Sequence, residues 1–150
     1  MNLALARIPR MAVLATLLLT LAVIAGCTSG VDPADALGVD AVAADPGAFT
    51  GRIAILGVVQ NVNEAQSLVT IIDEAEYAAC GLSPCGSAGI IPLHLPTSGE
   101  SGPGGTLYEG SLPALEDLVV VVGEIKSSAD GLYFDVERVE RGGAPLIEKR

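Results

Sequence analysis

Two stretches rich in valine and isoleucine constrain the fold of this chain most strongly. Residues 52–62 have the sequence RIAILGVVQNV, and residues 118–126 have the sequence LVVVVGEIK. Such β-branched runs favour strands over helices. Gly57, in the middle of the first run, marks a place where that strand would bend or bulge. The chain is therefore expected to build its core from strands.

Three further strands are predicted between turn-forming residues. They cover residues 67–73, 90–95 and 132–139, and the last follows an Asp-Gly hairpin pair. Loosely spaced apolar residues within 37–49 predict one short helix. Five strands and little helix in about 90 residues predict a small closed barrel in a mainly β fold.

The amino terminus has the features of a secretory signal. Arg7 and Arg10 precede residues 11–25, which carry no charge and give way to Gly26 and Cys27. This run of 15 residues is shorter than the roughly 20 that a membrane-spanning helix needs. The chain is therefore divided into a signal peptide (1–26), a small polar tether (27–36) and a domain (37–150).

The part from Cys27 onward is acidic but has enough apolar residues to fold. It holds 6 basic and 18 acidic residues, a net charge of −12, and 56 of its 124 residues are apolar. That apolar fraction is ordinary for a globular domain. The negative charge would repel phosphate backbones, so nucleic acid is not an expected partner.

The junction Ile24-Ala25-Gly26-Cys27 resembles the lipobox of bacterial lipoproteins. The resemblance implies cleavage before Cys27 and a covalent lipid there: a diacylglyceryl thioether and an amide-linked acyl chain such as palmitate. Several acyl chains together give stable membrane anchoring. Thr28 resembles the pattern that sends lipoproteins to the outer membrane, facing the periplasm, if the host has two membranes. The implied location is the bacterial cell envelope.

The chain also resembles exported bacterial OB-fold proteins over about residues 39–140. The similarity is carried by Val39-x-x-Val42-x-x-Asp45-Pro46-x-x-Phe49-x-Gly51-x-Ile53-x-Ile55-x-Gly57-x-Val59 and by Val119-x-Val121-x-Gly123-x-Ile125. It implies a five-stranded OB-like Greek-key barrel with a short N-terminal helix. Barrels of this kind bind ligands on strands two and three and on adjoining loops, which nominates residues 74–95 and 96–110.

Two cysteines remain if Cys27 carries lipid, and their spacing favours a disulfide. Cys80 and Cys85 enclose Gly81 and Pro84, so the chain can turn back on itself within bonding range. The alternative is a zinc or copper site formed by Cys80, Cys85 and His94, completed by Asp73 or a water. The acidic residues 73, 74 and 76 are otherwise interpreted as a solvated turn.

No arrangement typical of an enzyme is found in the sequence. Residues 85–89 have Cys where the serine nucleophile motif requires Gly, and the chain has only one His that could serve as the base of a catalytic serine. We therefore expect a lipid-anchored, non-catalytic binding or assembly module with no cofactor. Its expected partners are the membrane, through the lipid, and an envelope protein. The alternative function is a metal-handling or redox protein that uses the Cys80, Cys85 and His94 set.

Overall fold

The structure, a computed structural model, describes residues 32–83, 85, 89–98, 105–129 and 131–150. The predicted signal peptide, Cys27 and the first part of the tether lie outside the described residues, and so do residues 99–104. The predictions of lipid attachment and signal cleavage fall on that undescribed part of the chain.

Eight strands form one sheet within the described residues. Their bounds are β1 (Leu37–Gly38), β2 (Arg52–Asn63), β3 (Leu68–Ile72), β4 (Ile90–His94), β5 (Tyr108–Gly110), β6 (Leu118–Ser128), β7 (Gly131–Arg141) and β8 (Ala144–Lys149). The order across the sheet is β4-β3-β2-β6-β7-β8-β5. Neighbours on this path are antiparallel, while β1 lies beside β2 as a parallel strand.

The long strand β2 holds the two halves of the sheet together. Its first half, residues 52–58, pairs with β6, and its second half, residues 58–63, pairs with β3. The register with β3 shifts between Val59 and Asn61, which is a bulge. One strand therefore joins β6 on one side of the sheet to β3 on the other.

Two short helices pack beside the sheet. Helix α1 (Val39–Ala44) buries Val39 and Val42, and helix α2 (Glu74–Cys80) begins at Asp73. At Gly57, where the sequence predicted a bend or bulge, the missing side chain allows α1 to pack closely on β2. A Cβ at that position would lie 2.7 Å from a methyl group of Val39. Three-residue 3-10 turns lie at Pro33–Asp35, Pro46–Ala48 and Glu64–Gln66.

The main core lies between one face of the curved sheet and α1. Along β6 the side chains alternate: Val119 and Val121 belong to this core, while Val120 and Val122 are buried on the opposite face. Both faces of this strand are therefore covered. The largest fully buried side chains include Ile55, Ile71, Ile72, Leu93, Leu95 and Ile147.

The prediction of a mainly β fold is confirmed, but in the described part of the chain the sheet is open and has eight strands where the sequence predicted five. The five predicted strands correspond to β2, β3, β4, β6 and β7. Strands β1 and β5 are two and three residues long, too short to show an alternating pattern. Strand β8 contains Pro145 and buries only Ile147, so it lacks the apolar alternation of an ordinary strand.

Candidate functional site

The sheet does not close between β4 and β7. Four successive antiparallel pairings lead from β4 through β3, β2 and β6 to β7, so β4 and β7 run parallel. In the described part of the chain no hydrogen-bonded ladder joins these two strands. They border a groove, which we call the β4–β7 groove.

The edge of β4 that faces this groove is poor in hydrogen-bond donors. The N–H of Leu95 donates to the carbonyl of Ser67 at 2.7 Å, which places the odd-numbered residues in the ladder with β3. Main-chain groups alternate in direction along a strand, so Ile90, Pro92 and His94 direct theirs toward the groove. Pro92 has no N–H to donate.

Strand β7 faces the groove with its even-numbered residues. The hairpin pair Ser128 and Gly131 places the odd-numbered residues of β7 against β6, at least up to the register shift near Val136. The carbonyl of Val136 accepts a buried hydrogen bond from the Tyr108 hydroxyl at 3.0 Å. The main-chain groups of Leu132 and Phe134 therefore point into the groove.

Tyr108 closes one end of the groove. Its N–H donates to the carbonyl of Pro96 at 2.9 Å, just beyond β4, while its hydroxyl reaches Val136 on β7. Strand β5 thus ties the two sides together at this end. Burial, with the nearby charge of Asp135, raises the pKa of Tyr108 to about 12. The phenol is neutral at ordinary pH and acts as a fixed hydrogen-bond donor.

The wide end of the groove is a cavity of about 250 Å³ with apolar walls. Helix α1 contributes Val42 and Ala43, and the following turn contributes Pro46. The two strands supply the rest, with Ile125 of β6 at the base. These strand residues are Ile90, Ile91 and Pro92 of β4 and Leu132, Tyr133 and Phe134 of β7. Among the described residues, no charged side chain lines this end.

The polar end is an adjoining cavity of about 220 Å³. It shares Pro92, Tyr133 and Phe134 with the wide end, so the two cavities form one continuous groove. The other lining residues are Leu68, His94, Tyr108 and Asp135. One end of the groove is thus apolar, and the other carries groups that can bind a polar or charged ligand atom.

Asp135 organises the charges at the polar end. It is 8% exposed and accepts hydrogen bonds from two lysines, Lys126 and Lys149, the latter at 2.9 Å. Burial by itself would raise the pKa of Asp135, but the two ammonium groups outweigh it and hold the pKa below its usual value. Lys126 also lies 3.9 Å from Glu124. The carboxylate is therefore permanently ionised at neutral pH.

A second buried acid lies outside the groove. Glu140 of β7 is 3% exposed, and one of its oxygens accepts a hydrogen bond from Arg138. Its other oxygen has no partner among the described residues. The residue pairs with Val120 and Pro145 rather than lining either cavity. We interpret the Arg138–Glu140 pair as structural.

The sulfurs of Cys80 and Cys85 lie at disulfide distance, as the sequence predicted. Their Cα atoms are 5.7 Å apart, and Gly81 ends the helix with a φ of +66°. The loop is also held by side chains: Glu76 accepts the N–H of Cys85 at 2.7 Å, and Gln60 donates to the carbonyl of Leu82 at 3.2 Å. The loop is therefore fastened both to α2 and to β2.

Of the alternative metal set, Cys80 and Cys85 lie together, whereas Asp73 and His94 have other positions in the fold. Asp73 caps α2 by accepting the N–H of Ala75 at 3.0 Å, so the predicted solvated turn is a helix start. His94 is half-buried at the polar end of the groove. A group whose ligand atoms lie within 4.8 Å of one another joins Cys80 and Cys85 to Glu76, and it includes neither Asp73 nor His94.

Sequence reasoning did not place Glu76 beside the two cysteines, and it missed half of the groove. Glu76 and Cys80 are four residues apart and share a face of α2, a signal that needed the helix to be predicted first. The nominated segments 74–95 and 96–110 include the β4 wall and Tyr108. The walls formed by α1 and β7 were missed, because nothing local in sequence shows that β4 and β7 lie side by side without pairing.

Comparisons with protein-family models, curated proteins and solved structures give no match for this chain. In the described part of the chain, no helix has the length and apolar character needed to cross a membrane.

Proposed function

We propose that this protein is a lipid-anchored, non-catalytic binding module of the bacterial envelope that binds its ligand in the β4–β7 groove. The observation that carries the proposal is the exposure of apolar side chains at the groove. Ile90 is 43% exposed and Leu132 is 56% exposed. Large apolar side chains around an open cavity are typical of ligand and partner sites.

The state of the polar groups supports binding rather than catalysis. The Tyr108 hydroxyl is committed to a buried main-chain carbonyl, and its raised pKa removes it from proton transfer near neutral pH. Asp135 is held ionised by two lysines. Tyr108 and Asp135 are therefore held in fixed positions, which suits groups that orient a bound ligand.

The anchor rests on the lipobox resemblance at residues 24–27. Cys27 would carry the acyl groups, and the short tether would keep the domain at the membrane, on the periplasmic side of the outer membrane if the host has two. An envelope protein remains a proposed partner. A net charge of −12 from Cys27 onward supports the exclusion of nucleic acid.

We also propose that the domain is OB-like. Strands β2, β3 and β4 follow one another across the sheet, and β6 returns to lie beside β2, which is the Greek-key order. OB-folds are partly open five-stranded barrels. The five strands that the sequence predicted, β2, β3, β4, β6 and β7, supply that set here, with the opening between β4 and β7.

The proposal is tested by separating anchoring from binding. Cys27→Ser should abolish incorporation of labelled fatty acid and release the protein from the membrane fraction.

Leu132→Glu, in the otherwise unchanged chain, should remove the fluorescence that an apolar dye gains in the groove. Leu118→Glu is the matched control, since Leu118 is 43% exposed and lines neither end of the groove. Equal dye signals for both variants would contradict the groove as binding site.

A second candidate function is metal handling at α2. The carboxylate of Glu76 lies within 4.8 Å of both cysteine sulfurs, so three ligands of types that bind zinc or copper already lie together. Both thiols would have to be free. Mass spectrometry of the unreduced protein decides between the two: loss of two hydrogens supports the disulfide, whereas free thiols with bound zinc or copper would favour the metal site.

A further inference from the structure

From the position of Glu76 beside the two cysteine sulfurs, we infer that Cys80, Cys85 and Glu76 form a redox-gated zinc site. The disulfide is the closed state of this site, and reduction by a dithiol opens it. The inference deepens the metal-handling candidate and rests on it for the ligand set. It makes the disulfide and the metal site two states of one place in the fold, and it is independent of the β4–β7 groove.

Helix α2 and the turn after it bring the three ligands together. Glu76 and Cys80 are four residues apart, about one turn of the helix, so they share a face. Gly81 ends the helix with a φ of +66°, and the chain returns until the Cα of Cys85 lies 5.7 Å from that of Cys80. The two Sγ atoms and a carboxylate oxygen all lie within 4.8 Å of one another. Tetrahedral zinc holds such atoms about 3.7 Å apart, so side-chain rotation after reduction brings them onto one ion.

The loop is held by hydrogen bonds that do not depend on the disulfide. Glu76 Oε1 accepts the N–H of Cys85 at 2.7 Å, and the side-chain amide of Gln60 donates to the carbonyl of Leu82 at 3.2 Å. Gln60 is itself positioned on β2, where it accepts the hydroxyl of Thr70 at 3.4 Å. Because these contacts do not involve the sulfurs, the two cysteines remain neighbours in the reduced protein. A site held in advance loses less conformational entropy when it binds the ion.

The atom types and the charge around the loop suit a cation. Thiolate sulfur and carboxylate oxygen are both ligands that zinc binds, and three protein ligands leave a fourth position for water. The carboxylate of Glu76 has a second oxygen beyond the one that accepts the N–H of Cys85. Asp73 and Glu74 add two acids at the start of the same helix. The negative potential of such a cluster in an acidic domain attracts cations.

The exposed cysteine is the one that an incoming thiol reaches. Cys85 is exposed, whereas Cys80 and Glu76 are half-buried. A thiolate of the dithiol donor attacks the sulfur of Cys85, a mixed disulfide forms, and Cys80 leaves as a thiolate. The second thiolate of the donor then displaces Cys85, so the donor becomes a disulfide and two electrons and two protons pass to the protein. Zinc replaces the two thiol protons, which go to solvent.

The test compares zinc binding by two redox states of the full chain, as processed in cells and purified in detergent. Zinc chloride is titrated calorimetrically into the disulfide form, verified by mass, and into protein reduced with a phosphine, which adds no thiol ligand. The reduced form should bind one zinc at least about 100-fold more tightly than the disulfide form. Adding an oxidised dithiol to the zinc-loaded protein should release the ion as the disulfide forms again.

Two acids of α2 give matched variants. Glu76→Gln should weaken zinc binding by the reduced protein at least about tenfold, because a charged ligand is lost. Glu74→Gln removes the same charge at an exposed position outside the ligand group, so binding should weaken by less than about threefold. Replacing both Cys80 and Cys85 by Ser should abolish tight binding, and it leaves Cys27 in place to report binding elsewhere. Thermal melting confirms that each variant is folded.

The outcomes separate the gate from the metal site itself. Equal zinc affinity in both redox states would overturn the gate and leave the metal-handling candidate standing. No zinc binding by the folded, reduced protein would overturn both, while the proposed groove function would be unaffected. Equal weakening by Glu76→Gln and Glu74→Gln would overturn Glu76 as a ligand, because the charge of the helix alone would then explain the effect.

Discussion

The two sides of β7 differ sharply, although they belong to one strand. Toward β6, residues 131–140 are paired in a continuous ladder with a single register shift. Toward β4, residues 132–136 face an open groove, and one tyrosine bridges the gap at its end. The first side builds the core, and the second leaves apolar surface and main-chain groups accessible. We propose that binding takes place at this unpaired edge of β7, which borders the β4–β7 groove.

The largest expected effect on stability comes from disturbing the paired side of β7, where it lies against β6. A Cβ at Gly123 would overlap the carbonyl oxygen of Asp135 and lie 3.0 Å from the ring of Phe134. Gly123→Ala should therefore destabilise the domain by about 3 kcal/mol, measured by urea unfolding. The matched control is Gly47→Ala, where the nearest side-chain atom would be an ordinary 3.6 Å away. Equal midpoints for the two variants would show that β6 and β7 are not this close.

The tyrosine bridge across the open seam should have the next largest effect. Tyr108→Phe removes a buried hydrogen bond and leaves the carbonyl of Val136 unpaired. The expected loss is about 1.5 kcal/mol in the free energy of unfolding. A loss near zero would mean that β5 does not hold the end of the groove.

The same residue predicts an alkaline limit of stability. The pKa of Tyr108 is about 12 in the folded protein against an ordinary value of 10.0, so the folded state retains the proton longer. Its contribution is complete below pH 10 and is lost as the pH rises toward about 12. Unfolding measured across this range should show a shallower pH dependence for Tyr108→Phe. An unchanged slope would contradict the burial of the phenol.

The charge cluster at the polar end should have a smaller effect, because Lys126 is 43% exposed and screened by solvent. Asp135→Asn should lower stability by about 1 kcal/mol at pH 7. The folded-state pKa of Asp135 is lowered, so its contribution is present above the ordinary value of 3.8 and is lost as the pH falls below it. In acid the variant and the wild type should therefore converge. A constant difference at every pH would rule out this ionic contribution.

The smallest effect is expected on the open edge itself. Pro92→Thr gives β4 an N–H directed into the groove, where the position is exposed and no strand is paired. Stability should change by no more than about 0.5 kcal/mol. Self-association measured by sedimentation should increase, because an unprotected edge can pair with another chain. No change in association would mean that the proline does not protect this edge.

The sequence allowed the paired part of the fold to be predicted and not the open part. Runs such as LVVVVGEIK identify β6 because alternation and β-branching are local properties. The contact of Gly57 with Val39, by contrast, depends on where α1 packs, and only the three-dimensional arrangement shows it. The prediction of a closed barrel went wrong because a strand pattern does not show whether the last pair of strands forms a ladder.

The candidate site, too, could be predicted only where it depends on residues close together in sequence. The Cys80–Cys85 pair was predictable because only four residues lie between them. His94 was considered as a ligand only in the alternative metal site, and its position in the groove follows from β4 being an edge strand, which depends on the order of the whole sheet. Leu132 has an apolar side chain in an alternating strand, and nothing local distinguishes it from a core residue.

Hydrogen exchange of the β7 amides, followed by NMR on the unliganded protein, tests the central claim most directly. The amides of Tyr133 and Asp135 face β6, and those of Leu132 and Phe134 face the groove. An open seam predicts that Leu132 and Phe134 exchange faster by on the order of 100-fold. Equal protection of all four amides would mean that β4 and β7 are paired, and the groove would not exist.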